Sequence, residues 1–285
     1  MRESNVRRPA VEGMFYPGTP AELSEMIAAW KLPMVANDAE LQAVIVPHAG
    51  LVYSGRIAMK ALLAAAGNDY QRIIVLAPTH RVGFRRIALS SAAEYQTMLG
   101  KTPLDTEMAE MLMGQQDVFG TYDLAHAQEH AVEVQQILLQ SIWPDGGFKL
   151  LPCVVGSLDD RQVREAAAGL APFLNAETLW VISSDFTHYG RSFGYLPFTE
   201  QIPEELKKLD MGAVALIARN DLNGFEQYLR LTGATICGAT PIRILLAAAE
   251  LSGLSRWKFL EYRTSGEMTG DFRHCVSYVS MALDR

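Results

Sequence analysis

Ala43-Val-Ile-Val-Pro-His48, Ile73-Ile-Val-Leu-Ala-Pro-Thr-His80 and Leu179-Trp-Val-Ile-Ser-Ser-Asp185-Phe-Thr-His188 decide the reading of this chain. Each is a short β-branched run closing on Pro or Ser, the pattern of a strand buried on both faces of a parallel sheet. Ligands of such sheets collect in the crevice outside the carboxyl ends of the strands. A single histidine after a single strand is commonly a core or capping residue. Metal ligands or proton carriers placed the same way three times argue for a site, with His48 and His80 at its centre.

Working outward, strand-like and helix-like segments alternate through most of the sequence. Helical patterns run over Ala21–Trp30, Ser54–Ala66, Thr106–Met113, Glu129–Ile142, Asp160–Leu174, Glu204–Ala218 and Pro241–Leu251. Arg86–Ser90 and Phe148–Val155 read as further strands, and Trp257–Tyr262 and Cys275–Ala282 as two terminal strands joined by a Gly-containing turn. The alternation predicts an α/β fold in three layers, α/β/α, with a mostly parallel but mixed central sheet and an antiparallel portion at the C-terminus. Nothing resembles a linker, a repeat or a low-complexity segment, so residues 1–285 are expected to form one domain.

The bulk properties exclude several partners. A net charge of −7 argues against nonspecific nucleic-acid binding, which needs a clustered excess of Lys and Arg. Of the local basic clusters, Arg7-Arg8 reads as solvated surface, whereas Arg81 with Arg85-Arg86 flanks His80 and could meet an anionic substrate. No stretch approaches the roughly 20 apolar residues of a membrane span, and the N-terminus has no apolar leader pattern, so a cytoplasmic protein without membrane contact is expected. Cys153, Cys237 and Cys275 form no paired framework.

A site built on His48 and His80 needs a third ligand. Cys237, in Thr235-Ile-Cys-Gly-Ala-Thr-Pro241 just before a helix, is the best candidate, because the positive end of a helix dipole favours thiolate. A buried structural cysteine is the alternative at that position; Cys153 and Cys275 lie inside strands and read as core. Asp185 and His188 follow a buried strand in a polar turn, where the carboxylate could orient the imidazole and the imidazole could act as acid or base. His126-Ala-Gln-Glu129-His130 has the literal H-x-x-E-H pattern of inverzincin zinc peptidases, which would place a hydrolase centre on His126 and His130. Glu129, His130 and Glu133 serve equally well as groups that hydrogen-bond the metal ligands. Dinucleotide, P-loop and nucleophile-elbow signatures are absent.

Together these segments resemble the MEMO family. The resemblance is carried by Val6–Pro17, Val46-Pro-His-Ala-Gly-Leu-Val-Tyr53-Ser-Gly55, Leu76–His80, Glu129–Gln135, Ser183–Gly190, Thr235–Gly238 with Pro241-Ile242, and Val276–Tyr278, in that order along nearly the whole chain. It implies a protein like component B of the AmmeMemoRadiSam system, with a fold like that of the class III, LigB-type extradiol dioxygenases. Those enzymes hold non-haem Fe(II) with two His and a carboxylate and use a further His as acid/base. Transferred by motif, the resemblance implies His48, His80 and Cys237 as metal ligands, His188 and Asp185 as catalytic residues, and Glu129, His130 and Tyr53 as supporting or substrate-side groups. Thr97-Met-Leu-Gly100 departs from the family's Thr-Pro-Leu-Gly at a loop. A thiolate stands where the dioxygenases use a carboxylate, which shifts preference toward copper or zinc and prevents direct inheritance of dioxygenase activity.

The expectation is therefore a redox or oxygen-dependent enzyme using Fe(II) or copper, with zinc as a further candidate, on a small molecule or a peptide, with partners from the AmmeMemoRadiSam system. Its rivals are a non-enzymatic peptide- or protein-binding module using the same cleft, and the zinc hydrolase on His126 and His130.

Overall fold

The β-branched runs fold as strands, as a computed structural model covering residues 5–33 and 40–285 describes. Residues 1–4, part of the N-terminal stretch read above for a leader, and 34–39 lie outside the described residues. In chain order the strands are β1 (Val6–Arg7), β2 (Leu41–Val46), β3 (Arg72–Pro78), β4 (Ile87–Leu89), β5 (Glu94–Thr97), β6 (Gly100–Pro103), β7 (Phe119–Thr121), β8 (Lys149–Val155), β9 (Thr178–Ser183), β10 (His188–Gly190), β11 (Arg256–Thr264) and β12 (His274–Asp284). Nine of them build one mixed sheet in the order β10-β12-β2-β9-β3-β8-β4-β7, with β11 alongside β12; β1, β5 and β6 form a small second sheet.

The centre of the large sheet is parallel, β2 to β9, β9 to β3 and β3 to β8. β12 runs antiparallel to β2, and β4 antiparallel to β8. Alternate residues of each central strand face opposite layers, as the pleat requires. Ala43, Ile45, Ile74, Leu76, Trp180 and Ile182 join one core with the helices Asp160–Leu170, Ile202–Ala218 and Ala239–Leu251. Val44, Val46, Ile73, Val75, Leu179 and Val181 join the other, with the helices Leu51–Ala65 and His130–Ile142. The expected mixed α/β layers are present. No helix among the described residues is long and apolar enough to cross a membrane.

Two local expectations fail. The link between β11 and β12 is a short helix, Ser265–Thr269, whose Thr264 side chain caps Glu267 N, so the Gly-containing segment is more than a turn. Arg7 is not solvated surface but buried. Its guanidinium pairs with Glu133 and donates to the Glu129 and His126 carbonyls. Glu133, fully buried in the helix His130–Ile142, also accepts from Ala10 N, Val11 N and the Tyr16 hydroxyl, at 2.8, 3.0 and 2.7 Å. One carboxylate thus fastens the N-terminal segment to the helix that borders the site. A buried charge is tolerated only when paired and hydrogen-bonded in this way.

Glu133→Ala would leave the Arg7 charge and three further donors buried without partners. Breaking a buried ion pair from one side costs about 3–5 kcal/mol. The variant is expected to unfold in urea at a midpoint lowered accordingly; an unchanged midpoint would show that the segment is not held by Glu133.

Candidate metal centre

Because β9 lies between β2 and β3 and all three run parallel, the chain leaves them side by side at one edge. His48 follows β2, Asp185 follows β9 and His80 follows β3. Cys237 enters from the opposite layer, immediately before the helix Ala239–Leu251. Its neighbour Gly238 packs so closely on the end of β9 that a Cβ there would lie 2.3 Å from Ser184 Cβ. The Gly238 N–H donates to Ser184 Oγ at 3.0 Å. Only glycine permits that approach.

One donor atom from each of His48, His80 and Cys237 lies within 4.8 Å of the others. His48 Nε2 is 3.2 Å from Cys237 Sγ, and the His48 and His80 ring centroids are 5.1 Å apart. The tautomers follow from the surrounding bonds. Ser183 Oγ has one proton, which it donates to the Ala131 carbonyl at 2.7 Å, and it accepts from the Gln135 amide at 3.0 Å. Its 2.8 Å bond to His48 Nδ1 must therefore run from the imidazole N–H. That leaves the lone pair of His48 on Nε2, facing Cys237. His80 Nδ1 donates to Glu129 Oε1 at 2.9 Å, so its lone pair is also on Nε2. This is the arrangement by which oxygen partners orient metal-binding imidazoles.

Glu129 is buried and supports the site three times over. Its carboxylate accepts from His80 N at 2.6 Å, from His80 Nδ1, and from Ala131 N at 3.0 Å as the cap of the helix His130–Ile142. Burial opposes its charge, but the His130 and His80 contacts hold the carboxyl well below the usual carboxylate range. Burial, and then the His80 and His130 rings, push His48 well below the usual imidazole range, so it is neutral.

Asp185 and His188 occupy the same edge in roles that differ from the expectation. Asp185 does not orient the His188 ring; its Oδ1 accepts from His48 N at 2.8 Å and Ala49 N at 3.2 Å, fixing the turn after β2. His188 Nδ1 lies instead 3.0 Å from the Phe186 carbonyl and 3.2 Å from that of Thr235. Two acceptors place the proton on Nδ1 and leave Nε2 free to take another. The Cys237 thiol also departs from the dipole argument. Burial first, and the Asp185 carboxyl second, push it well above the ordinary thiol range, against the Asp185 and Gly238 N–H groups and Ser184. The metal-free site therefore holds a thiol, not a thiolate.

The H-x-x-E-H segment does not form one helical face. Asp123–Ala127 is a separate short helix from His130–Ile142. His126 is buried with Nδ1 on the Tyr95 hydroxyl at 2.6 Å and Nε2 on the Ala88 carbonyl at 3.0 Å. Both ring nitrogens are occupied, which removes the geometric basis for a hydrolase centre on His126 and His130. His130 does reach the site, with ring centroids 4.5 Å from His80 and 4.4 Å from Phe15. Tyr53 stands half-exposed in the first turn of the helix Leu51–Ala65, outside the ligand group. Ser183, Gln135 and Phe15 escaped the residue-by-residue reading, although each lies within a segment singled out above.

A family model described as "Memo-like protein" matches residues 7–282. The chain is 31% identical over 293 residues to a MEMO1 family protein of Pyrococcus abyssi, covering 98% of this chain and 100% of that one. It is 30% identical over 275 residues to one of Thermoplasma acidophilum, covering 96% and 97%. A MEMO1 family protein of Nitrosopumilus maritimus is 30% identical over 281 residues, with 96% and 98% covered.

The raised Cys237 pKa gives a direct test. A thiol one pKa unit above free cysteine has a tenfold smaller thiolate fraction at neutral pH. In metal-free protein, alkylation of Cys237 near pH 7.5 is expected to be slower than that of free cysteine and to keep rising above pH 9. A rate that levels off below pH 8 would restore the helix-stabilised thiolate.

Proposed function

This chain belongs to the Memo family, and from that premise we propose that His48, His80 and Cys237 hold one Fe(II) or copper ion, with zinc as a further candidate. The activity proposed is oxidoreductase or dioxygenase-like chemistry on a small molecule or a peptide. One observation carries the reading: donor atoms of His48 and His80, at the carboxyl ends of the two parallel strands that flank β9, lie close to one another and to the Cys237 thiol, and each imidazole is steered by an oxygen on Nδ1.

The donor set fits such an ion. Imidazole suits iron, copper and zinc, and a thiolate selects them over magnesium or calcium. When bound, iron or copper supplies the one-electron or oxygen chemistry that side chains lack. The residues do the rest. Cys237 gives up its proton as it becomes a ligand, while His48 is already neutral. Asp185 holds the His48 backbone in place. His188, with Nδ1 anchored and Nε2 free, takes or returns a proton at the substrate. Three unpaired cysteines suit a reducing, cytoplasmic setting, and proteins of the AmmeMemoRadiSam system are proposed as partners.

A second reading has its own support. Met14, Val52 and Tyr53 are exposed apolar side chains on two segments joined by the 2.7 Å bond from Leu51 N to the Phe15 carbonyl. Such a rim suits a peptide held without chemistry.

Three outcomes test the proposal. His48→Ala, His80→Ala and Cys237→Ala should each weaken Fe(II) binding by more than the roughly 10–100-fold typical of losing a ligand's hydrogen-bond partner, and Ser183→Ala should fall inside that range. Because the free thiol is protonated, its binding as thiolate releases a proton. Apparent affinity should then rise about tenfold per pH unit through neutrality, and a pH-independent affinity would exclude Cys237 as a ligand. His188→Ala should keep the metal and lose about 10²–10⁴-fold in metal-dependent oxygen uptake. If the wild-type metal-loaded protein consumes no oxygen, the binding module is favoured.

A further inference from the structure

His80 belongs to two donor groups at once. Besides His48, His80 and Cys237, a donor atom from each of His80, Glu129 and His130 lies within 4.8 Å of the others. The two groups meet different sides of the ring. His80 Nδ1 lies 2.9 Å from Glu129 Oε1, which leaves Nε2 as the lone pair open to the first group.

His130 is the unexplained member. Its Nδ1 is fully buried and has no hydrogen-bond partner, although it sits 3.2 Å from Glu129 Oε1, close but off the line of a hydrogen bond. Its side chain is 11% exposed and that of Glu129 1%. The ring is held against Phe15 on one side and near His80 on the other. A buried imidazole nitrogen left unpaired beside a buried carboxylate is costly, and such groups are normally satisfied by a partner, a water or an ion. Two imidazoles and one carboxylate are a complete protein donor set for a borderline divalent cation such as zinc.

The geometry points to a second cation site formed by His80, Glu129 and His130, adjoining the first and sharing His80 with it. Filling both sites would require His80 Nδ1 to give up its N–H proton to water, so that each ring nitrogen could serve one cation. Glu129 then turns from an acceptor of that N–H into a ligand, and His130 Nδ1 gains the partner it lacks. The site rests on the reading above only through His80; neither His48 nor Cys237 takes part in it.

Zinc is the appropriate probe, because it is not reduced by the thiol. Equilibrium dialysis of the full chain against Zn(II), followed by elemental analysis, reads the stoichiometry. Wild type is expected to bind two equivalents, Cys237→Ala one, and His130→Phe one, with none left in the double variant. His130→Phe preserves a ring against Phe15 while removing the nitrogens, so lost packing does not masquerade as a lost ligand. A Cys237→Ala protein that binds no zinc, or a His130→Phe protein that still binds two equivalents, overturns the second site. A single wild-type equivalent that survives Cys237→Ala and vanishes in His130→Phe would instead sink the first site and leave the second standing.

Discussion

Parallel pairing of β9 between β2 and β3 forces three chain exits onto one edge, and the candidate site is built on that constraint. Residues leaving neighbouring parallel strands emerge within one inter-strand spacing or two, about 5–10 Å. His48, Asp185 and His80 therefore meet without any long loop to hold them. The fourth contribution, Cys237, comes from the far layer and needs the missing Cβ of Gly238 to come close enough. Two strand ends, a helix entry and one glycine thus define the position of the thiol relative to the imidazoles.

The helix His130–Ile142 then imposes order on that edge. Its core-facing side is unusually polar, with Glu133, Gln135, Gln136 and Gln140 all buried. The amide N–H groups of the glutamines are used: Gln135 joins the Pro47 carbonyl to Ser183, and Gln136 and Gln140 hold the small sheet through Thr102, while Oε1 of Gln135 and of Gln136 is buried without a partner. Buried polar networks of this kind are favourable only when nearly complete. The same helix sets the His48 tautomer through Ser183 and the His80 tautomer through Glu129, so ligand orientation is coupled to the packing of one element. A cavity-forming change in this helix would loosen the N-terminal segment, the small sheet and the two imidazoles together.

What was legible in the sequence follows the same division. The central strands were readable because burial on both faces leaves uninterrupted Val, Ile and Leu, and the site followed from residues at their ends. β1, β5, β6, β7 and β10 were not, because strands of two to four residues carry too little pattern. Arg7 was misread for a physical reason: isolated basic pairs are usually solvated, and the carboxylate that buries this one lies more than a hundred residues away in sequence. His126 and His130 look equivalent within five residues, but a helix break at Glu129 sends one to Tyr95 and the other to the sheet edge beside His80. The direction of the Cys237 pKa was misjudged because a dipole argument is local, whereas burial and the nearby Asp185 are set by the tertiary fold.

That last difference bears on which ions the pocket can hold. Without an ion, Cys237 is a protonated thiol and His48 is neutral. A hard cation such as magnesium gains little from neutral imidazoles and cannot easily draw the proton from a buried thiol, so it has nothing to exchange for its hydration shell. A softer cation recovers the cost by forming the metal–thiolate bond, and the proton it expels leaves a single negative charge to match part of its own. The burial that raises the thiol pKa would thus act as a filter on an incoming ion. Replacing the thiol by a carboxylate would supply a standing negative charge and admit harder ions. In the proposed site, the raised pKa of Cys237 and a preference for softer ions would therefore be two expressions of one desolvated sulfur.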